Sequence, residues 1–394
     1  MVFAHNPDAL APAPKVLEPL PDNERLILSL VRENNGMSKA EIARATGLSA
    51  QSATNIVKRL EAEGLLRAGK SVRGKVGQPS KPYLINADGA MTIGVKVGRQ
   101  SVEVATMGFD YQIIDHRSFG YDYPVYDTVR AHVLDTISDF IGALDAMQIS
   151  RLLGIGLAIP DALSSWESAI GAPAGSMAPW DTADLRAEIE SAFGLPVAQM
   201  NDASAACLAA LKLGSARPRS FLYIYVGTFA GGGLALDGRV YEGLTGNASA
   251  LGSMPMGVAR GGPAEQLIAH ASLQDLEDMA EVAGLSPTVY YDDAPLSAEA
   301  DQILQSWIAK AAPALAFTFV AGQAFLDLEV MVLDSSLADP LRARLVEATV
   351  TALSAYDTRG LRPFAVQSGE GGVRARSLGS ALLPFQAVTE FDLM

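Results

Sequence analysis

With one cysteine in 394 residues, Cys207, the chain has no partner for a disulfide and no thiolate cluster for zinc. Cys207 lies in the apolar run ASAACLAAL and reads as an inert core residue. Histidine is nearly as scarce. His5, His116, His132 and His270 are scattered without metal-ligand spacing, so no metal or other cofactor is expected. No uninterrupted apolar run reaches the ~20 residues of a membrane span. The N-terminus also lacks the basic start and apolar core of a secretion signal, so a cytoplasmic chain without a membrane partner is expected. Positive charge is short overall: the net charge is −14, which by itself argues against nucleic acid.

That charge is uneven. From Asp22 to Leu84 there are eleven lysines and arginines against six acids, a local +5, so the remainder carries −19 to reach the total of −14. A basic module on an acidic body suits a regulator whose body is kept off phosphates.

Within the basic stretch, Ser38 to Leu66 reads SKAEIARATGLSAQSATNIVKRLEAEGLL. Ser38 followed by Glu41 is a capping box that opens a helix, and Gly47 can end it because glycine takes positive φ without cost. Ser49 caps a second helix. Ala53, Ile56, Val57 and Leu60 fall on one buried stripe of it. Gln51, Ser52, Thr54, Asn55, Lys58 and Arg59 are left facing outward. Short amides and hydroxyls early in the helix can reach base edges, and Lys58 and Arg59 can meet phosphates. The spacing alone is equally that of an ordinary solvated helix pair.

The following residues favour DNA. Leu65 and Leu66 start a strand, and Arg67, Lys70, Arg73, Lys75 and Lys81 punctuate a hairpin that ends at Tyr83-Leu84-Ile85. A basic hairpin directly after such a helix reads as a wing. The candidate DNA-contacting residues are therefore Ser49, Gln51, Ser52, Asn55, Lys58, Arg59, Arg73, Lys75, Gln78 and Lys81, and the partner is a double-stranded operator.

Residues 1–20 carry Pro7, Pro12, Pro14 and Pro19 and read as a flexible arm. Residues 21–86 form the DNA-binding module, whose first helix runs from Asn23 to Asn34. From Met91 strands and helices alternate: MTIGVKVG, SVEVATMGF and YQIIDHRSF as a meander, a helix over Thr128 to Leu144, and LLGIGLAI as a strand buried on both faces. A helix over Leu185 to Phe193, a strand to Met200 and a helix from Ala203 to Leu213 follow. FLYIYVGTFAGGGLALDGRVYEG reads as a hairpin. Ala264 to Ala283 and Ala298 to Ala324 read as helices, LEVMVLD as a strand, Pro340 to Tyr356 as a helix, and Leu378 to Val388 as a closing helix. The class is α/β with mixed sheets. Gly-bearing turns near Gly94 to Gly98 and Gly227 to Gly233 hint at a duplicated two-lobe body.

Four segments carry a resemblance: GIGLAIPDAL from Gly154, Trp180 followed by LRAEIESAFGLPV, MNDASAA from Met200, and GTFAGGGLALDGRVYEGLTG from Gly227. In order and spacing they resemble the ROK family, which groups sugar kinases with sugar-responsive repressors. The winged helix-turn-helix in front looks like the repressor branch. The resemblance implies an actin/hexokinase-like (ribonuclease H-like) body over residues 87–394. Lobe 1 would span about 87–200 plus 377–394, lobe 2 about 201–376, with a ligand cleft between them.

The chain departs from the kinase pattern at several points. Where the kinases have a DxGGTK loop, it reads KVGRQS, so Lys96 stands at the metal-holding Asp and Arg99 and Gln100 replace Gly and Thr. A cation cannot ligate magnesium, and side chains crowd a phosphate nest. The nucleotide-side Gly-Gly is Asp334-Ser335-Ser336. The family's zinc motif is gone, with Ser253 at its histidine and Ala250 at a sugar-contacting Glu. The wing's GGRP is Gly77-Gln78-Pro79. Asn201 and Asp202 remain. Asp202, the general base in the kinases, is read either as an acceptor for a ligand hydroxyl or as an Asx turn capping the next helix. Gly231 and Gly232 are read either as an anion nest or as a tight hairpin. The candidate ligand residues are thus Asn201, Asp202, Gly231 and Gly232.

The expectation is a DNA-binding transcriptional regulator, a repressor of carbohydrate genes controlled by a sugar-type effector, acting as a homodimer or tetramer without kinase activity. The alternatives are an ATP-dependent sugar kinase and a regulator controlled by a protein partner.

Overall fold

The computed structural model describes residues 19–70, 81–216, 218–259 and 262–389. Arg73, Lys75 and Gln78, and the arm up to residue 18, lie outside the described residues.

Three helices come first among the described residues: α1 (Asp22–Glu33), α2 (Lys39–Thr46) and α3 (Ala50–Ala62). Strands β1 (Leu66–Ala68) and β2 (Tyr83–Ile85) pair antiparallel behind them. Local chemistry sets these boundaries as expected. Ser38 and Glu41 form a capping box at α2, and Gly47 ends it at φ 70°. The Ser49 side chain accepts from the Ser52 amide at the start of α3. Ile27, Leu28 and Val31 of α1, Ile42 of α2 and Ala53, Val57 and Leu60 of α3 are at most 1% exposed, which gives the module its own core.

The body follows as β3 (Met91–Val97), β4 (Ser101–Gly108), β5 (Ile113–Gly120), α4 (Tyr126–Gly142), α5 (Ala146–Ser150), β6 (Leu152–Ala158), α6 (Leu185–Phe193) and β7 (Val197–Met200). The chain goes on through α7 (Asp202–Leu213), β8 (Phe221–Val226), β9 (Ala230–Leu236), β10 (Arg239–Val240), α8 (Ile268–Ala271), α9 (Leu273–Val282) and α10 (Ala298–Leu326). It closes with β11 (Val330–Ser335), α11 (Asp339–Leu353), β12 (Ala365–Ser368) and α12 (Ala375–Thr389).

Two five-stranded sheets result, ordered β5-β4-β3-β6-β7 and β10-β9-β8-β11-β12. Each sets an antiparallel meander beside two strands reached through helices, the duplication at which the two glycine-bearing turns hinted. In the second sheet β11 runs parallel to both β8 and β12.

The chain divides into two compact units. Of the described residues, the first holds those up to Leu157, 162–199 and 380–389; the second holds 158–161 and those from 200 to 379. The DNA-binding module belongs to the first. There the Arg32 guanidinium donates to the Phe109 carbonyl and lies 3.6 Å from the Tyr111 ring centroid. Leu20, expected to be part of a loose arm, donates its amide to the Val388 carbonyl of α12. Gly156 is required in β6 because a Cβ there would lie 1.8 Å from the Ser380 carbonyl oxygen.

In the second unit α10 is long and apolar enough by composition to cross a membrane. Its Leu304, Trp307, Ala311, Leu315 and Phe319 are instead packed in that unit's core, and the Trp307 indole donates to the Ser272 carbonyl at 3.0 Å. The single helix expected over Ala264 to Ala283 is broken: α8 and α9 meet at Ser272, which is extended at ψ 144°.

Candidate functional sites

In the DNA-binding module, α3 buries one face and exposes the other. Gln51, Ser52, Asn55, Lys58 and Arg59 are exposed. Lys58 has no ion pair among the described residues. Gln51 donates through Nε2 to Asn55 Oδ1 at 3.0 Å, one helical turn on. Ser49 and Ser52 are engaged in the cap, with their hydroxyls 2.8 Å apart. Lys81 is exposed just before β2.

Arg59 differs from the expectation of a free phosphate cation. Its guanidinium pairs with Glu24 of α1, whose side chain is 3% exposed. A buried carboxylate needs a charged partner, and Arg59 is that partner. The spacing of α1 and α3 in the chain gave no sign of this cross-helix pair. The Lys39 ammonium lies 5.0 Å from the Tyr83 ring centroid.

The turn read as a degenerate phosphate loop lies in the first unit. Lys96 is 2% exposed, and its ammonium donates to Ser101 Oγ at 2.8 Å and reaches Glu103 Oε1 at 3.2 Å. The charge is thus neutralised inside the sheet and held off solvent. A Cβ at Gly98 would stand 2.5 Å from Lys96 Nζ, so the turn is packed around this ammonium.

In the second unit, Asn201 rather than Asp202 caps α7: its Oδ1 accepts from the amides of Ala203 and Ser204. Its Nδ2 donates to Asp161 at 3.2 Å. Asp161 is exposed, and partial desolvation raises its carboxyl above the ordinary value, with the Asn201 hydrogen bond opposing the rise and the neighbouring Asp202 charge adding to it. Asp202 is released from capping. It is buried, and Oδ2 pairs with Arg376 at 3.4 Å. The same guanidinium lies 4.8 Å from the Tyr225 ring centroid. Sequence reasoning missed Asp161 and Arg376. Asp161 lies in the segment GIGLAIPDAL, which was a usable signal; Arg376 lies 174 residues from Asp202 and carried none.

Gly231 and Gly232 are strand residues of β9, registered against Tyr225 and Ile224 of β8. Neither has positive φ, so the turn alternation of an anion nest is not formed by them. A Cβ at Gly231 would lie 2.9 Å from Ala203 Cβ, and one at Gly232 would lie 2.4 Å from Leu251 Cδ1. Their place is explained by close packing, the hairpin reading. Cys207 faces the same strand. Burial pushes its thiol well above the usual range, in keeping with an inert core residue.

The end of β11 is filled from within. The Asp334 carboxylate accepts from Tyr223 Oη at 3.0 Å and from the Ser335, Gly371 and Gly372 amides, with Arg342 Nε 3.7 Å away. Burial raises its pKa, and Arg342 and the amide donors pull it back. The Ser335, Gly371 and Gly372 amides are thus occupied by the protein's own carboxylate.

A capped helix-turn-helix with a polar outer face, joined to two duplicated mixed sheets, defines a DNA-binding transcriptional regulator built on a sugar-kinase-like body. Residues 92–360 match the ROK family and residues 20–67 match a winged helix-turn-helix DNA-binding domain. The chain belongs to the ROK family. It is 27% identical over 372 residues to the uncharacterized protein y4fQ of Sinorhizobium fredii, covering 94% of this chain and 92% of that one. It is 22% identical to the xylose repressor of Bacillus spizizenii over 59% of this chain and 60% of the repressor. Among solved structures, a ROK family transcriptional regulator described as a homolog of the E. coli MLC protein superposes with a TM-score of 0.67 at 19% identity. That superposition covers 93% of this chain and 96% of the regulator's, and it shows the shared fold.

Proposed function

We propose that this protein is a sugar-responsive repressor of carbohydrate-metabolism genes, without kinase activity. The observation that carries the reading is the buried Lys96–Glu103 pair: a neutralised cation stands where the family's kinases keep a metal-holding carboxylate. Asp334, which uses the Gly371 and Gly372 amides, supports it. Double-stranded operator DNA is bound by α3 and the wing, and two copies read two half-sites. The effector, a sugar or sugar derivative, is held beside Asn201, Asp202 and Arg376. It lowers DNA affinity by its differential binding to two states of the dimer. The protein works in the cytoplasm. The repressor to which the chain is similar is named for xylose, so pentoses are the first probes.

The test is a thermal-shift screen of the full chain against pentoses, hexoses and their acids, with ATP and magnesium turnover measured alongside. One sugar should raise the Tm of the parent and not of Asp202→Asn, and ADP should not form above the Asp202→Asn control. Stabilisation by no sugar would favour control by a protein partner, and sugar-dependent ADP release would revive the kinase.

A further inference from the structure

The outward face of α3 has an unusual complement of hydrogen-bonding groups. Its first two turns carry no cation. The first, Lys58, comes in the third turn, and Arg59 is engaged by Glu24. Guanine presents two acceptors in the major groove, N7 and O6, and is most often read by arginine or lysine. The positions of α3 that enter the groove first therefore lack the usual guanine reader. The Ser49 and Ser52 hydroxyls face each other within the cap.

What these turns do carry is Gln51 and Asn55, joined by the 3.0 Å bond from Gln51 Nε2 to Asn55 Oδ1. That bond leaves Gln51 Oε1 and Asn55 Nδ2 as the distal atoms of the pair, one acceptor and one donor. If both amides are reversed the roles exchange and the complement is the same. Of the four bases only adenine offers a donor and an acceptor side by side on its major-groove edge, N6–H and N7. Cytosine offers a donor alone and thymine an acceptor with a methyl group. Guanine would have to draw two N–H groups from the pair, leaving an amide oxygen without a donor in a desolvated interface, which is penalised.

We propose that Gln51 and Asn55 act as one unit that reads a single adenine in each half-site of the operator. The inference rests on the DNA-binding reading and adds which base this helix selects and how. Because the two amides orient each other, losing either should cost what losing both costs.

The experiment uses the full-length chain. Preferred sites are selected from a random duplex library, and each half-site position is then changed to the other three base pairs and measured by competition. The expected result is one A·T position per half-site where G·C weakens the parent by about 10- to 100-fold. Gln51→Ala and Asn55→Ala should each abolish that discrimination, and the double variant should lose no more than either single one. Gln51→Arg, which cannot accept, should move the preference there toward guanine. All four variants change exposed residues, so unchanged melting confirms that they fold. Selective binding with no such A·T position overturns the inference alone, as do single variants that keep the adenine preference or losses that add. If no duplex is bound selectively, the DNA-binding reading fails and the inference fails with it.

Discussion

Arg59 and Lys58 are chain neighbours with opposite assignments. Arg59 neutralises a carboxylate buried between α1 and α3, so Arg59→Ala should unfold the module's core more readily. Because Arg59 is half-exposed, the loss should be about 1–3 kcal/mol, below the range for a fully buried pair. Chemical denaturation checks it. Lys58→Ala should leave stability within about 0.5 kcal/mol and weaken binding to all sequences, with the salt slope reduced by about one counterion. A Lys58→Ala protein with unchanged salt dependence would remove Lys58 from the phosphate contacts. Asp161 sets a pH test. Its carboxyl is raised above the ordinary value by partial desolvation, so the folded state favours its protonated form. That contribution is complete below the unfolded value and is lost as pH rises through the folded one. Asp161→Asn should flatten this part of the stability profile and melt no lower than the parent at pH 7.

At the scale of elements, Ser38 caps α2 and takes Glu41 with it. Ser38→Ala should cost about 1 kcal/mol in thermal or chemical unfolding, and an unchanged midpoint would mean that α2 is held by packing alone. The helices and strands with strong local chemistry were legible from the residues. The capping box at Ser38, the glycine stop at Gly47, the buried Ala53, Val57 and Leu60 of α3 and the apolar run of β6 each read from spacing, while Ile56 of the same predicted stripe is only half-buried. Elements that owe their place to tertiary neighbours did not. β12 is four residues whose role comes from lying parallel to β11. The break between α8 and α9 is set by Ser272, whose carbonyl takes the Trp307 indole from α10. The candidate ligand site was half legible. Asn201 and Asp202 stood in a motif, but which of them caps the helix depended on three-dimensional geometry. Gly231 and Gly232 looked like a phosphate loop because tight packing and anion binding select the same residue.

At the scale of the molecule, the two sheets share one strand order, and the resemblance to a sugar-kinase body is a matter of fold. Lys96 and Asp334, one in each unit, are satisfied by the protein's own groups, Lys96 by Ser101 and Glu103 and Asp334 by Tyr223 and the Gly371 and Gly372 amides. Restoring carboxylate and space by Lys96→Asp alone should give no turnover, since it would leave Glu103 without its buried counter-charge and the protein less stable. A melting curve beside an ADP assay checks both statements.

Footprinting the full-length protein on its selected site while sugars are titrated in shows whether this body governs the DNA-binding module. Two symmetric protected half-sites, about one helical turn apart or a multiple of it, should fade as one sugar of the panel is added. Protection that no sugar alters, or no protection at any protein concentration, would contradict the account.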